Sequence, residues 1–250
     1  MRRLSVLVVA LALLTGTACG SNAESRPSLG RRVPQATTTS TTLPPYVSLV
    51  ATARVFILQI FDSPDAAEPS TTLGNPWLVN DDPNLPVKQV FLVTQKIGER
   101  YEVLLPVRPN GTKGWVRARD VIISQTPYRI VVELGAHRIT VYSGESVLLQ
   151  ELVAVGKPST PTPTGHFYLR VLLKAPDPNT VYGPYAYPLS GHSEVLTSFN
   201  GGDGELGIHG NNDESVLGQS VSAGCIRMSN AGITRLASIL PLGTPVEIRP

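Results

Sequence analysis

From residue 46 onward, apolar side chains come in short runs rich in β-branched and aromatic residues, and each run stops at Pro, Gly, Asn or Asp. That punctuation predicts a chain of short strands with few helices. Residues 55–61 (VFILQIF), 90–93 (VFLV), 101–107 (YEVLLPV) and 114–117 (GWVR) are the first set. Asn110-Gly111 is a strong hairpin signal, joining a strand that ends near Arg108 to one that starts at Lys113. A compact all-β module is expected over residues 46–125, with Trp115 in its core.

The pattern resumes after residue 126. Residues 129–134 and 138–142, separated by Gly135-Ala136-His137, predict a hairpin, and 147–155 and 167–173 continue the sheet. Residues 158–165 (PSTPTPTG) are too rich in proline for a strand interior and predict a shaped loop. A short helix is expected over 213–219, capped by Asn212 or Asp213. A second is expected over 231–240, where Ile233, Leu236, Ala237 and Leu240 follow the i, i+3, i+4, i+7 spacing. Residues 246–248 close the sheet. The fold class is mainly β, a sandwich or barrel-like domain over 126–250 with short helices, preceded by the small all-β module.

The first 45 residues differ in kind. Arg2 and Arg3 precede an unbroken apolar run of about 11 residues (4–14), too short for a bilayer core of about 30 Å and suited to a signal peptide. Small residues then lead to Cys19. Residues 20–45 are dense in Thr, Ser and Pro and cannot bury enough surface to offset ordering entropy, so they read as a disordered tether. Fully extended, it reaches roughly 80 Å at about 3.1 Å per residue.

Charge and cysteine count narrow the function. The chain carries 21 basic and 19 acidic residues, and loss of Arg2 and Arg3 with the signal leaves it balanced, which gives no electrostatic reason to bind nucleic acid. Of its two cysteines, Cys19 belongs to the export segment and Cys225 is left without a partner. A lone thiol in an exported protein stands out, because oxidising compartments pair or eliminate them.

Cys225 lies in Ser222-Ala223-Gly224-Cys225-Ile226-Arg227-Met228, and His209 in Gly207-Ile208-His209-Gly210. A catalytic thiol needs a base, since a free cysteine is only a few per cent thiolate at neutral pH. His209 can supply it, and an imidazolium beside the sulfur would depress the thiol pKa and later protonate a leaving amine. Gly224 permits a backbone geometry that aims successive N–H groups at a developing oxyanion. A buried inert cysteine and a metal ligand are the competing readings, although no close-spaced ligand pair supports a metal and no cofactor is called for. His137 reads as a surface turn residue and His166 as structural. His192, in the Gly/Pro-rich stretch 187–192, could cover the site as a lid, with Tyr182 and Tyr185 along the same groove.

The pattern His-Gly, a spacer, then Ser-x-Gly-Cys-Ile-Arg-Met resembles the signature of the L,D-transpeptidase catalytic domain. Residues 136–142 (AHRITVY), 155–169 (VGKPSTPTPTGHFYL) and 198–210 (SFNGGDGELGIHG) are similar to the same family. The resemblance implies attack on a peptidoglycan stem peptide at the carbonyl before a terminal D-alanine, a thioester on Cys225, and transfer to an amine of a neighbouring stem. It implies His209 as base, Gly224 and Cys225 as backbone oxyanion donors, and Ser222, Gly210 and Arg227 as residues shaping the site. It also implies covalent inhibition by carbapenems. Ala223 stands where many members carry His or another polar residue. Hydrolysis of the same thioester, by an L,D-carboxypeptidase, or a non-catalytic wall-binding lipoprotein are the alternatives. Residues 98–121 resemble a bacterial SH3-like domain, with an immunoglobulin-like sandwich still open. Residues 15–19 resemble a lipoprotein processing site, with Cys19 the lipid-bearing residue. The expected location is the outer face of the cytoplasmic membrane, with the enzyme working in the cell wall.

Overall fold

The computed structural model describes residues 46–198 and 202–250, so the segments expected to be a signal and a tether, with Cys19, lie outside the described residues. The N-terminal lobe is one antiparallel sheet in the order Lys113–Arg117, Arg100–Leu104, Val90–Ile97, Ser48–Ala53, Val121–Thr126. The lobe's first strand thus lies between its later ones, and Val121–Thr126 closes against it. Two ribbons, Ile57–Ile60 with Thr71–Gly74 and Trp77–Leu78 with Pro86–Val87, complete the lobe. The hairpin at Asn110-Gly111 forms, but its first strand ends at Leu104 rather than near Arg108. Pro106 has no N–H to continue the ladder. Trp115 is buried and exchanges backbone hydrogen bonds with Phe61 at 2.8 and 2.9 Å.

The C-terminal lobe is built on a sheet in the order Ser146–Leu152, Arg138–Ser143, Tyr128–Glu133, Pro245–Arg249, Gly165–Tyr168. The last strand of the chain therefore enters the sheet's interior, parallel to Tyr128–Glu133, rather than closing an edge. A second sheet runs Leu173–Lys174, Tyr185–His192, Glu205–His209, Ile226–Arg227, its last pair parallel. The helix Asn230–Ile239 covers the core between them. Ser229 caps it by accepting the Gly232 N–H, and Ile233 and Leu236 are fully buried, each contributing about 1.5–3 kcal/mol. The helix expected at 213–219 shortens to the single 3-10 turn Glu214–Val216. The Asp213 carboxylate binds the Ser215 N–H there, and Gly218 turns left-handed at φ +87°.

Two apolar cores result, and one strand divides them. Phe167 belongs to the C-terminal core, whereas its neighbour Tyr168 is buried in the N-terminal one among Val50, Phe91 and Val103. Successive strand residues face opposite sides, so Gly165–Tyr168 serves both lobes. A polar seam adds to this. Arg108 donates to the carbonyls of Ser193, Leu196 and Asp203, and Asn110 exchanges two 2.8 Å hydrogen bonds with the backbone of His192.

Candidate active site

Strand register brings the site together. Ile208 lies opposite Ile226 and His209 opposite Arg227 in a parallel pair, which sets Gly207 beside Cys225. Ile208 and Ile226 point into the core and are fully buried. Carried one residue back from the strand Ile226–Arg227, alternation turns Cys225, with Gly207 and His209, to the other face. Gly207 lies beside the sulfur: a Cβ there would be in ordinary contact with it, 4.0 Å from Cys225 Sγ. Its N–H also donates to that sulfur.

His209 is 4% exposed, and its Nδ1 bonds the Gly210 carbonyl at 2.7 Å. A carbonyl only accepts, so Nδ1 carries the hydrogen and Nε2 keeps its lone pair. The Tyr182 ring lies 5.0 Å from the imidazole, tilted by 59°. Burial pushes the His209 pKa down to about 4, and the Arg227 charge pushes the same way, against the Gly210 hydrogen bond. Burial raises the Cys225 thiol, while the Gly207 N–H and Arg227 pull it down and Glu205 pushes it up. Taken singly, these directions favour a neutral imidazole and a protonated thiol at rest over the expected imidazolium-thiolate pair.

The nucleophile loop is held from behind. Ser222, 1% exposed, donates from Oγ to the Cys225 carbonyl at 2.6 Å and accepts the Gly224 N–H at 3.0 Å. Gly224 sits at φ +123°, where side-chain-bearing residues are strained. Its N–H being engaged by Ser222, Gly224 shapes the loop but is not the free oxyanion donor expected of it. The Pro-Thr loop supplies two further ties, Thr160 Oγ1 to the Ser222 carbonyl and Thr162 Oγ1 to the Gly224 carbonyl. Gly210 is packed so closely that a Cβ would lie 2.3 Å from Asn230 Oδ1. Arg227 is half-buried, its backbone bridged to Ala154 and its Nε buried without a hydrogen-bond partner.

The aromatic and histidine candidates separate. Tyr182 stands over His209, whereas Tyr185 packs its side chain against the core and gives its carbonyl to the Gly210 N–H. His192 is not part of a lid. It ends the strand Tyr185–His192, is 2% exposed, and bonds Asp203 at 3.0 Å and Asn110 through its backbone. The segment over the site is instead 175–184, which carries Tyr182. His137 adopts φ +46° in its turn and bonds Ser220 Oγ at 2.9 Å. Sequence reasoning missed Gly207, Thr160, Thr162 and the Gly210 carbonyl. Only Gly207 had a signal, its position two residues before His209 in a strand. A cavity of about 460 Å³ lies farther along Glu205–His209, bordered by Trp77, Arg170, Asp203 and Glu205; neither Cys225 nor His209 lines it.

A family model described as the L,D-transpeptidase catalytic domain matches residues 127–248. A Bacillus licheniformis protein provisionally named L,D-transpeptidase YkuD is 35% identical over 156 residues, covering 60% of this chain and 86% of that protein. A Bacillus subtilis protein with the same provisional name is 34% identical over 151 residues, covering 58% and 84%. A second from Bacillus subtilis, provisionally named L,D-transpeptidase YqjB, is 33% identical over 154 residues, covering 59% and 81%.

Proposed function

The chain belongs to the L,D-transpeptidase family, and we propose that it acts by acyl transfer through a thioester on Cys225. The observation that carries this is the shared face of His209 and Cys225 across Gly207, with the His209 Nε2 lone pair available. As the sulfur attacks the stem carbonyl before the terminal D-alanine, its proton passes to Nε2. The tetrahedral oxyanion takes the Cys225 N–H, the Gly224 N–H being engaged elsewhere. The C–N bond breaks, the imidazolium returns its proton to the leaving D-alanine amine, and the thioester remains. An amine of a neighbouring stem then attacks the thioester, gives its proton to His209, and the proton returns to the sulfur. His209's low basicity makes the imidazolium a strong acid at the moment the leaving amine needs a proton.

Around this chemistry, Arg227 offers its charge to the site. Tyr182 covers the imidazole as the family's stem peptide enters. The SH3-like N-terminal module is read as a wall-binding or bracing element, and Cys19 as a lipid anchor that holds the enzyme at the outer face of the membrane. The segment 20–45 gives it reach into the wall.

Intact-protein mass spectrometry with a carbapenem tests the nucleophile. A covalent adduct is expected, lost in Cys225→Ala; an adduct that survives this change would remove Cys225 from the mechanism. Incubation with disaccharide-tetrapeptide then separates the reactions, since cross-linked dimer marks transfer and tripeptide alone marks the carboxypeptidase.

A further inference from the structure

We propose that Thr162 is a positioning residue that aims the oxyanion-binding N–H of Cys225; this rests on Cys225 being the nucleophile. The Gly224 carbonyl and the Cys225 N–H belong to one peptide plane and, in a trans peptide, point in opposite directions. Whatever holds the carbonyl therefore directs the N–H. Gly224 cannot hold it sterically, because a glycine at φ +123° has no Cβ to restrict rotation.

Thr162 does so by hydrogen bonding. It is 4% exposed, and its Oγ1 lies 2.8 Å from the Gly224 carbonyl and 2.8 Å from the Gly156 amide nitrogen. The amide can only donate and the carbonyl can only accept, so the single hydroxyl proton points at Gly224. Gly156 is itself fixed, in the strand Val155–Gly156 paired with Ser220–Ser222. The sequence explains the rigidity of the support. Pro163 restricts Thr162 to extended backbone, and neither Pro161 nor Pro163 has an N–H to compete for the hydroxyl. The loop also packs hard against Gly156, where a Cβ would lie 2.4 Å from Thr160 O and Thr162 N.

Two reactions of the same sulfur distinguish aiming from general support. Acylation by a carbapenem passes through an oxyanion, whereas alkylation by iodoacetamide does not. In the full chain, Thr162→Val should lower the acylation rate about 10- to 100-fold, somewhat less than outright loss of an oxyanion donor. Its alkylation rate and alkylation pH midpoint should match wild type. Thr162→Ser, which keeps the hydroxyl, should acylate at close to the wild-type rate. Thr162→Ala, which removes the hydroxyl without adding bulk or a second thiol, gives the same comparison should the valine variant fail to fold. Unchanged acylation in the Val and Ala variants, or alkylation falling in step with acylation, overturns the proposal. A wild-type protein that alkylates but never acylates overturns the nucleophile assignment instead.

Discussion

The two walls of the site are built differently. Behind the nucleophile, Lys157 N–H, Thr160 Oγ1 and Thr162 Oγ1 reach across to the 222–225 loop, and Ser222 Oγ ties that loop to itself at both ends. Over the base, segment 175–184 closes its backbone hydrogen bonds mainly on itself: Ala175 to Pro184, Gly183 to Thr180, and Asn179 to the Asp177 carboxylate. Its residues are mostly exposed, and Tyr182 rests on His209 by ring contact. Exposed backbone with local hydrogen bonds opens at low cost, and the segment is held at its end by Gly183, buried against Gly210, Asn211 and Asn230. The nucleophile is thus fixed before substrate arrives, while the cover over the base can yield to a peptide.

The sharpest way to break that contrast is Ser222→Ala. It strips the Gly224 N–H and the Cys225 carbonyl of their shared partner in a site 1% exposed. Unsatisfied buried groups cost about 1–3 kcal/mol each, so denaturant unfolding should show a loss of about 2–4 kcal/mol. Carbapenem acylation should fall about 100-fold or more as the loop loses its geometry. A variant as stable and as fast as wild type would mean that the rear wall does not hold the nucleophile.

The pH profile gives the next largest effect. With a His209 pKa near 4, about 90% of the base is neutral at pH 5, against about 3% for an ordinary histidine of pKa about 6.5. Acylation at pH 5 should therefore stay within about twofold of its rate at pH 7, where an unperturbed base would lose about 25-fold. Stability is a poorer readout of the same shift. Between about pH 4 and 6.5 the unfolded chain protonates His209 and the folded one does not, so this group makes stability rise with pH across that window. Glu205, whose pKa burial raises to about 7 against the pull of Arg170, takes up protons on folding and acts in the opposite sense.

The same contrast explains what the sequence disclosed. His209 and Cys225 were legible because a lone thiol calls for a base and because the residues around both resemble the family's signature. The helix Asn230–Ile239 was legible from its apolar stripe, with Ile233 and Leu236 buried as the spacing requires. The clamp from Thr160 and Thr162 was not, since it joins segments 62 residues apart and depends on how two loops pack. His192 was misread because Pro188 and Gly191 look like loop residues. The strand tolerates them where its register with Glu205–His209 slips between Pro188 and His192. The course of Pro245–Arg249 through the sheet interior was hidden for a related reason: alternation marks a strand, not its neighbours.

The smallest effect falls on the cover and sharpens the comparison most finely. Tyr182 is 36% exposed, so Tyr182→Ala should leave the fold intact and change carbapenem acylation at pH 7 by only a few-fold. Its ring, however, contributes to the burial that holds His209 neutral. Removing it admits water to the imidazole, relieves part of the desolvation, and lets the pKa climb toward its ordinary value. The acid limb of the Tyr182→Ala profile should accordingly move upward, so that the variant loses more rate than wild type between pH 7 and pH 5. Tyr182→Phe, which keeps the ring, should leave the limb where it was. If the alanine variant kept the wild-type limb, His209 would owe its low basicity to Arg227 and the strands around it, and segment 175–184 would be a substrate contact with no hold on the base.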